Sequence, residues 1–422
     1  MAGFDPRTFY DSSFQYTNNG LYNGFNYPGP NNSDWEILLA VDLAANGVGD
    51  WFTLDDPVKG LLDNATYLLA GEVLVDITRW VRNLSVSRGR SRRIGTFTAG
   101  SCSFVLDNRD RIFDPLMAGS PFFGSIVPRK EVRVFYRKRT VFIGNVQDWD
   151  YSYNVNGDSV AIPSSIDALA YLSRLKYPAR AEIAEHATAR VGRVLDAVGW
   201  PDAGRIISVL PFADAYLHTD THGDVSALTY LQNIELSDLG ALFVNKNGLV
   251  EYRSRRVWDD SSQATFGIGG IPFSNIEVTY ETDAMTNLVS VGYGASSTNV
   301  FTDTPSQDSY GELSTSFSTL LADTGEADMF GDSYIASFKD PNYYIRSVSV
   351  NLLGVETTFV STLLSLELRD TVEVIFRPNN TGVPQVYELV IDQIEHQVSP
   401  GRHVMKFAMS PPFIFVPSMV GI

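Results

Sequence analysis

Cysteine is almost missing from this sequence: its 422 residues include one, Cys102. That excludes an internal disulfide framework and any cysteine-rich metal site. Ser101, Ser103 and Phe104 around it read as a strand, so Cys102 is expected to be a packed, buried thiol. Long apolar runs are missing too. Nothing approaches the roughly 18 consecutive apolar residues of a membrane-spanning helix, so no membrane insertion is expected. The start, MAGFDPRTFYDSS, has neither the basic end nor the apolar stretch of a secretory signal, and the expectation is synthesis in the cytoplasm. Positive charge is scarce. Lys and Arg number 32 against 49 Asp and Glu, a net charge of −17. General nucleic-acid binding needs phosphate neutralisation, so this balance argues against it.

Several catalytic signatures are absent as well. There is no phosphate-binding G-x-x-x-x-G-K-[ST] and no G-x-G-x-x-G. GIGGIP at Gly267–Pro272 reads as a turn. Ser164, Ser165 and Asp167 lack the G-x-S-x-G elbow of a serine hydrolase.

What is present is β-forming. Phe (25) and Tyr (20) are plentiful, whereas Gly (33) and Pro (20) are ordinary, which favours strands over low-complexity chain. The length suggests about two to four domains. Residues 1–34 read as an extended arm, FQYTNNGLYNGFNYPGPNNSD, with little periodicity. Its eight aromatics, among them Phe14, Tyr16 and Tyr22, are too many for a solvated tail, so the arm is expected to order against a neighbouring subunit. Residues 35–178 read as a first β-barrel domain. In EVRVFY, Val132, Val134 and Tyr136 share one face and Arg133, Phe135 and Arg137 the other. Asn156-Gly157 marks a hairpin.

Residues 179–270 change character. Ile183, Ala187, Val191, Val194, Leu195 and Val198 fall at helical spacing, closed by Gly199 and Pro201. Leu228, Leu231, Ile234 and Leu239 mark a second helix. A hairpin follows around Asn245–Gly248. This is a mixed α/β domain. Residues 271–422 read as a second β-barrel domain, in which Ile276, Val278 and Tyr280 align, as do Val289, Val291 and Tyr293, and Val348, Val350 and Leu352. Within it, 297–340 reads as a long loop with one short helix near Phe317–Ala322, of the kind that serves function or an interface. The fold class is thus mainly β with a small α/β insert. No fixed repeat period is visible, yet both β regions end alike: a charged strand (EVRVFYRK; DTVEVIFRP), then a long strand into an exposed turn.

Candidate chemistry is thin. HTDTHGD places His218 and His222 four apart, a spacing that on a helix could hold a metal. It lacks the Glu of a hydrolytic zinc motif, and Thr219, Thr221 and Gly223 make it a loop with Asp224 as a helix cap. Glu235 and Asp238 read as solvating carboxylates on an exposed helix face, not as a glycosidase pair drawn from separate elements. Trp149, Tyr151 and Tyr153 are either packing residues or a sugar-stacking platform. No catalytic, cofactor-binding or metal-binding residue survives this weighing, and no cofactor is expected. Arg79, Arg82, Arg88, Arg90, Arg92 and Arg93 form a run without an acid between Asp76 and Asp107. Against so acidic a chain they are expected, with Phe14, Tyr16 and Tyr22, to dock on a neighbouring subunit, where complementary charge sets register and speed of assembly.

The order of these pieces resembles the minor tail protein, or baseplate hub, family of long non-contractile-tailed bacteriophages. GTFTAGSCSFVLDNRDRIFDP followed by VPRKEVRVFYRKRTVFIGNVQDWDY resembles its first β-domain. GALFVNKNGLVEYRSR resembles its Gly-to-aromatic hairpin. NIEVTYETDAMTNLVSVGYG and QIEHQVSPGRHVMKFAMSPP resemble the opening and closing of its second. The resemblance implies a homotrimer whose two barrels per chain form a pseudo-sixfold ring at the distal end of the virion's tail. Its partners would be the tail tube or distal tail protein, the tape measure protein and other tip or fibre proteins, with viral DNA passing through the lumen without specific binding. It implies a non-enzymatic protein. The Asp107–Asp110 turn would join two barrel strands, Phe113-Asp114-Pro115 would end pairing, and Phe142-Ile143-Gly144 would return to the same sheet. The family's long C-terminal extension has no counterpart after PPFIFVPSMVGI. The alternatives are a hexameric distal tail protein and a tail component that binds host-wall carbohydrate.

Overall fold

A computed structural model describes residues 34–42, 50–51, 67–68, 72–90, 95–208, 214–255, 261–282 and 284–416. The proposed arm, with Phe14, Tyr16 and Tyr22, lies outside them, as do Arg92 and Arg93.

Alternating apolar residues build one 13-stranded sheet from both β regions. The first β region supplies β1 (Trp35–Asp42), β2 (Glu72–Asp76), β3 (Val81–Gly89), β4 (Thr98–Asp107), β5 (Glu131–Tyr136), β6 (Arg139–Tyr153) and β7 (Ser159–Ile166). The last five lie in the spatial order β3-β4-β7-β6-β5, with β1 and β2 added beyond β5. In β5 the expected alternation holds: Val132, Val134 and Tyr136 are buried, and Arg133 and Phe135 are half-exposed. Between β6 and β7 the chain reverses at Asn156-Gly157, where Gly157 takes φ 81°, the left-handed region in which glycine carries no steric cost.

The second β region supplies β8 (Asn275–Glu281), β9 (Asn342–Asn351), β10 (Thr371–Phe376), β11 (Gln385–Ser399) and β12 (Arg402–Ser410). Their order is β8-β9-β12-β11-β10. This is the first unit's order again: first, second, fifth, fourth, third, with every neighbour antiparallel. The likeness reaches single residues. Both long fourth strands bulge, β6 between Val146 and Asp148 and β11 between Ile391 and Gln393. At each bulge the chain before the third strand clasps the fourth. Arg129 N–H donates to Val146 O (2.6 Å) and Val146 N–H to Lys130 O (2.8 Å). Arg369 N–H donates to Ile391 O (2.8 Å) and Ile391 N–H to Asp370 O (3.0 Å). Arg129 and Arg369 share a left-handed backbone, φ 70° and 72°. The two β regions are one five-strand design used twice.

The units are not independent. The C-terminal half of β11 pairs with β3 from Gln393·Gly89 to Val398·Leu84, so the sheet runs unbroken from one unit into the other. A single hydrophobic cluster spans both, from Ile37 and Val134 to Val374 and Phe407.

The stretch after β4 differs from expectation. The Asp107–Asp110 turn does not join neighbouring strands, because β4 lies between β3 and β7 while β5 lies beyond β6. Residues 108–130 instead cover the core with Ile112, Phe113, Phe122 and Ile126. Asn108 holds the turn by accepting from Phe113 N–H (2.9 Å). Asp114 accepts from Leu116 N–H (2.9 Å). In the second unit this covering role falls to the helix Thr357–Ser365, with Val360, Leu363 and Leu364 in the same cluster. Phe142-Ile143-Gly144 does return to the sheet, within β6.

A second core holds the middle of the chain. Helices α1 (Ala187–Ala197) and α2 (Ala227–Asp238) each follow a stretch of short strands, and those stretches pair antiparallel in one register, Lys176·Ser226 through His186·Tyr216. Residues 297–340 are not a loop. They form strands Ser297–Thr302 and Ser314–Ser318, helix Thr304–Tyr310 and α3 (Thr324–Phe338). The strands flank Leu288–Tyr293, so Val289 and Val291 pack in this second core, away from the 13-stranded sheet. Polar Ser and Thr alternate with Phe317 and Phe301 here, and those two rings pack with Phe330 in the second core.

Candidate assembly interface

The seam between the two β units is built from buried charges that meet partners from distant parts of the chain. Arg88, at the end of β3, is buried and holds Glu367 at 2.6 Å. Burial pushes the Glu367 carboxyl up, but the Arg88 charge and the Lys246 and Leu368 N–H groups outweigh it and hold it below the usual carboxylate range. Arg90 and Arg369 converge on Asp392, at 2.9 and 3.3 Å. Arg82 bridges Asp107 (3.1 Å) and Asp158 (2.7 Å). Arg79 lies over the Trp80 ring, 3.8 Å from its centroid. Arg88 is thus engaged within its own chain, on a strand, β3, whose neighbour β11 comes from the same chain, and Arg90 just beyond it pairs in-chain with Asp392.

The middle region pins this seam. Its hairpin turns at Asn245–Gly248, and Lys246 N–H donates to Glu367 Oε2 (2.9 Å). The Lys246 ammonium donates to the carbonyls of Leu364 (2.8 Å) and Ser365 (2.7 Å) at the end of the helix Thr357–Ser365. A cation suits the negative end of a helix dipole. Sequence reading found the hairpin but gave Lys246 and Glu367 no role, because both act on residues distant in the chain.

A histidine pair lies at the same seam. His396 Nδ1 and His403 Nε2 are 3.2 Å apart. His403 packs against Trp35 and Tyr136 of the first unit, centroids at 4.9 and 4.7 Å. Burial, then His403, pushes His396 well below the ordinary imidazole value; burial, then the Arg137 charge, pushes His403 down to about 3. Both rings are neutral in the fold.

The chemical candidates of the sequence do not assemble into a site. His218 and His222 do not converge on a metal: Asp220–His222 is a short strand, and His222 stacks on Tyr177 (4.9 Å). Among the described residues no three metal-ligating side chains cluster. Asp224 is not the cap of α2; Ser226 is, accepting from Thr229 N–H at 3.1 Å, while Asp224 pairs with Lys176 at 2.5 Å. Glu235 and Asp238 are buried, not solvating. Glu235 accepts from Leu242 N–H (3.0 Å), and Asp238 from Tyr252 Oη–H (2.6 Å) and Ala215 N–H (2.7 Å). Burial pushes them up to about 8 and about 7. They tie α2 to the strands beside it. Asp167 caps the short helix Ala168–Leu172 and accepts from Gly100 N–H (2.6 Å). Cys102 is buried, and burial pushes its thiol up.

What remains uncovered is sheet edge. Among the described residues β8 pairs only with β9, and β6 beyond Asn145 pairs only with β7. The uncovered stretches carry aromatics: Tyr151 and Tyr153 of β6 stack at 6.3 Å, and Tyr280 of β8 continues a row through Tyr343 of β9 and Tyr387 of β11, with centroids 6.3 and 6.5 Å apart.

No family model and no curated protein sequence matches this chain. Solved structures do. A tail protein from Neisseria meningitidis covers 82% of this chain and 96% of its own at 11% identity, TM-score 0.57. A 43 kDa tail protein of prophage MuSo2 from Shewanella oneidensis covers 82% and 97% at 13% identity, TM-score 0.55. A prophage tail protein from Listeria monocytogenes covers 89% and 94% at 10% identity, TM-score 0.50. All three are described as tail proteins and none as an enzyme. The chain has the fold of phage tail proteins and is mainly β as expected; its two β units share one antiparallel sheet, and among the described residues neither closes into a barrel.

Proposed function

We propose that this chain is a structural, non-enzymatic component of a phage tail, acting at the tail tip as a baseplate hub. On this reading three copies form a ring, each giving two equivalent β units, so that the ring approximates six-fold symmetry and continues or closes the tail tube. The tube or distal tail protein would lie above it and tip proteins below. The observation that carries the reading is the repeated five-strand order: one chain presents the same unit twice in one continuous sheet, on a fold shared with tail proteins. The net charge of −17 suits a channel through which DNA passes, since like charge prevents adhesion. The test is the mass and symmetry of the purified full-length chain, by native mass measurement and electron microscopy. Three copies with six similar lobes support the hub. Six copies with one lobe each in the ring would instead favour a distal tail ring.

A second reading rests on the exposed aromatics at the edges, Tyr153 and Tyr280. It makes the chain a tail component that stacks on host-wall carbohydrate. Binding of purified wall glycan by a monomeric chain would favour it.

A further inference from the structure

We propose that β8 of one copy pairs antiparallel with the C-terminal half of β6 in the next copy, in the register Trp149·Tyr280, Asp150·Thr279, Tyr151·Val278, Ser152·Glu277 and Tyr153·Ile276. This deepens the ring reading above and rests on it.

The argument is one of equivalence. Within the chain, the fourth strand of the second unit (β11) pairs through its C-terminal half with the first strand of the first unit (β3). The bulges align β11 with β6, placing Ile394, His396 and Val398 where β6 has Trp149, Tyr151 and Tyr153. The β3·β4 and β8·β9 ladders align Leu84, Val86 and Arg88 with Ile276, Val278 and Tyr280. The in-chain pairs Val398·Leu84, His396·Val86 and Ile394·Arg88 then become Tyr153·Ile276, Tyr151·Val278 and Trp149·Tyr280. These need one strand from each of two copies, because β6 and β8 are not paired within the chain.

Exposure supports the same conclusion. At the filled seam Val86 is 1%, Arg88 4% and Val398 5% exposed. At the equivalent unfilled positions Val278 is 36%, Tyr280 66% and Tyr153 56% exposed. Ile276, Trp149 and Tyr151 are only half-buried against the shared core. Six apolar side chains thus line core-facing positions with one flank uncovered, three on each complementary edge. An unpaired edge carrying apolar side chains is a template for strand addition. The covering segment 108–130 does not fill this place. It touches β6 there through side chains, Trp149 Nε1–H to Val127 O (3.3 Å) and Tyr153 Oη–H to Asp114 (3.3 Å). Outward, Asp150 meets Thr279 and Ser152 meets Glu277, so no like charges stand directly opposite. Because the two edges differ, the contact is head-to-tail and generates a ring when it closes.

The test is disulfide trapping in the full-length protein. Asp150→Cys with Thr279→Cys is expected to cross-link neighbouring copies under mild oxidation and to accumulate as a closed ring; Cys102, being buried, does not compete. Ser152→Cys with Thr279→Cys, two residues out of register, is expected to cross-link at least tenfold less. As a second measurement, Tyr280→Glu, at a position 66% exposed in the single chain, is expected to leave the melting curve unchanged and to abolish association. Assembly without a disulfide between the thiols introduced at positions 150 and 279 would overturn this register while leaving the ring standing. A chain that stays monomeric at every concentration, with Tyr280→Glu indistinguishable from it, would overturn both. Cross-links from the Thr279→Cys position to the N-terminal arm, identified by mass spectrometry with a thiol-reactive photocrosslinker, would show that the arm occupies the edge and would also overturn the proposal.

Discussion

The two β units share a strand order but not their surroundings. The first unit's β3 is enclosed between β4 and β11, and Arg88 at its end sits in a buried ion pair with Glu367. The second unit's β8 has β9 on one side and, among the described residues, no strand on the other; Tyr280, at the position of Arg88, is open to solvent. The difference teaches that one backbone plan can carry two kinds of seam. A seam always closed within the chain tolerates buried charge, because its partners are delivered together by folding. On an edge that is open to solvent in the single chain, a charge would have to be desolvated if a second copy covered it, whereas an aromatic ring is stabilised on burial.

The largest break in this comparison is expected at Arg88. Arg88→Ala leaves Glu367 as an uncompensated buried carboxylate and should cost about 3–5 kcal/mol, read by urea denaturation. Tyr280→Ala at the equivalent position should stay within about 0.5 kcal/mol of the native chain. Equal losses would show that the two positions are not different in kind.

Acid sharpens the comparison next, since the histidine pair lies at the filled seam only. In the fold His403 titrates at about 3, against an ordinary 6.5. Between those values the unfolded chain binds a proton that the folded chain refuses, so stability is full above about pH 6.5 and declines as pH falls. His403→Phe removes the share of this dependence that comes from His403. The stability difference should move in the variant's favour by about 1.4 kcal/mol per pH unit as pH falls from about 6.5 towards 3, measured by denaturation at a series of pH values. A constant difference would refute the buried neutral imidazole.

The smallest effects test the edges one valine at a time. Val86→Ala should cost about 2 kcal/mol, because Val86 is enclosed on all sides. Val278→Ala should cost about 0.5 kcal/mol or less in the isolated chain. If the edge pairs in a ring, the second loss should rise towards the first once copies associate, a trend that thermal melts at increasing protein concentration would reveal.

The covering segment 108–130 and the stretch 297–340 show where the sequence was readable and where it was not. In EVRVFY the period of two was plain, and the burial of Val132, Val134 and Tyr136 followed from it. The similar endings of the β regions were visible as EVRVFYRK and DTVEVIFRP, and the structure turns that likeness into a shared strand order. In 297–340 the strands are short, rich in Ser and Thr, and apolar on one side only, so their pattern is too brief to stand out from a loop. Glu235 and Asp238 looked like surface carboxylates because acids usually are; their partners, Leu242 N–H, Tyr252 and Ala215, come from other elements, which local spacing does not report. The pairing of 176–186 with 216–226 leaves no local pattern for a related reason. The two stretches share backbone register, not residue identity.

Alone, the sequence determined the β character, the two helices of the middle region, the lack of a metal or cofactor motif and the order of pieces that resembles phage tail proteins. These depend on alternation, helical spacing and residue type, all of which act over a few neighbours. The tertiary structure decided which strands became neighbours, that Arg88 and Arg90 face inward, and which edges were left open. Strand order depends on contacts between residues hundreds of positions apart, such as Arg88 with Glu367, and a local pattern carries no information about which distant strand will complete it.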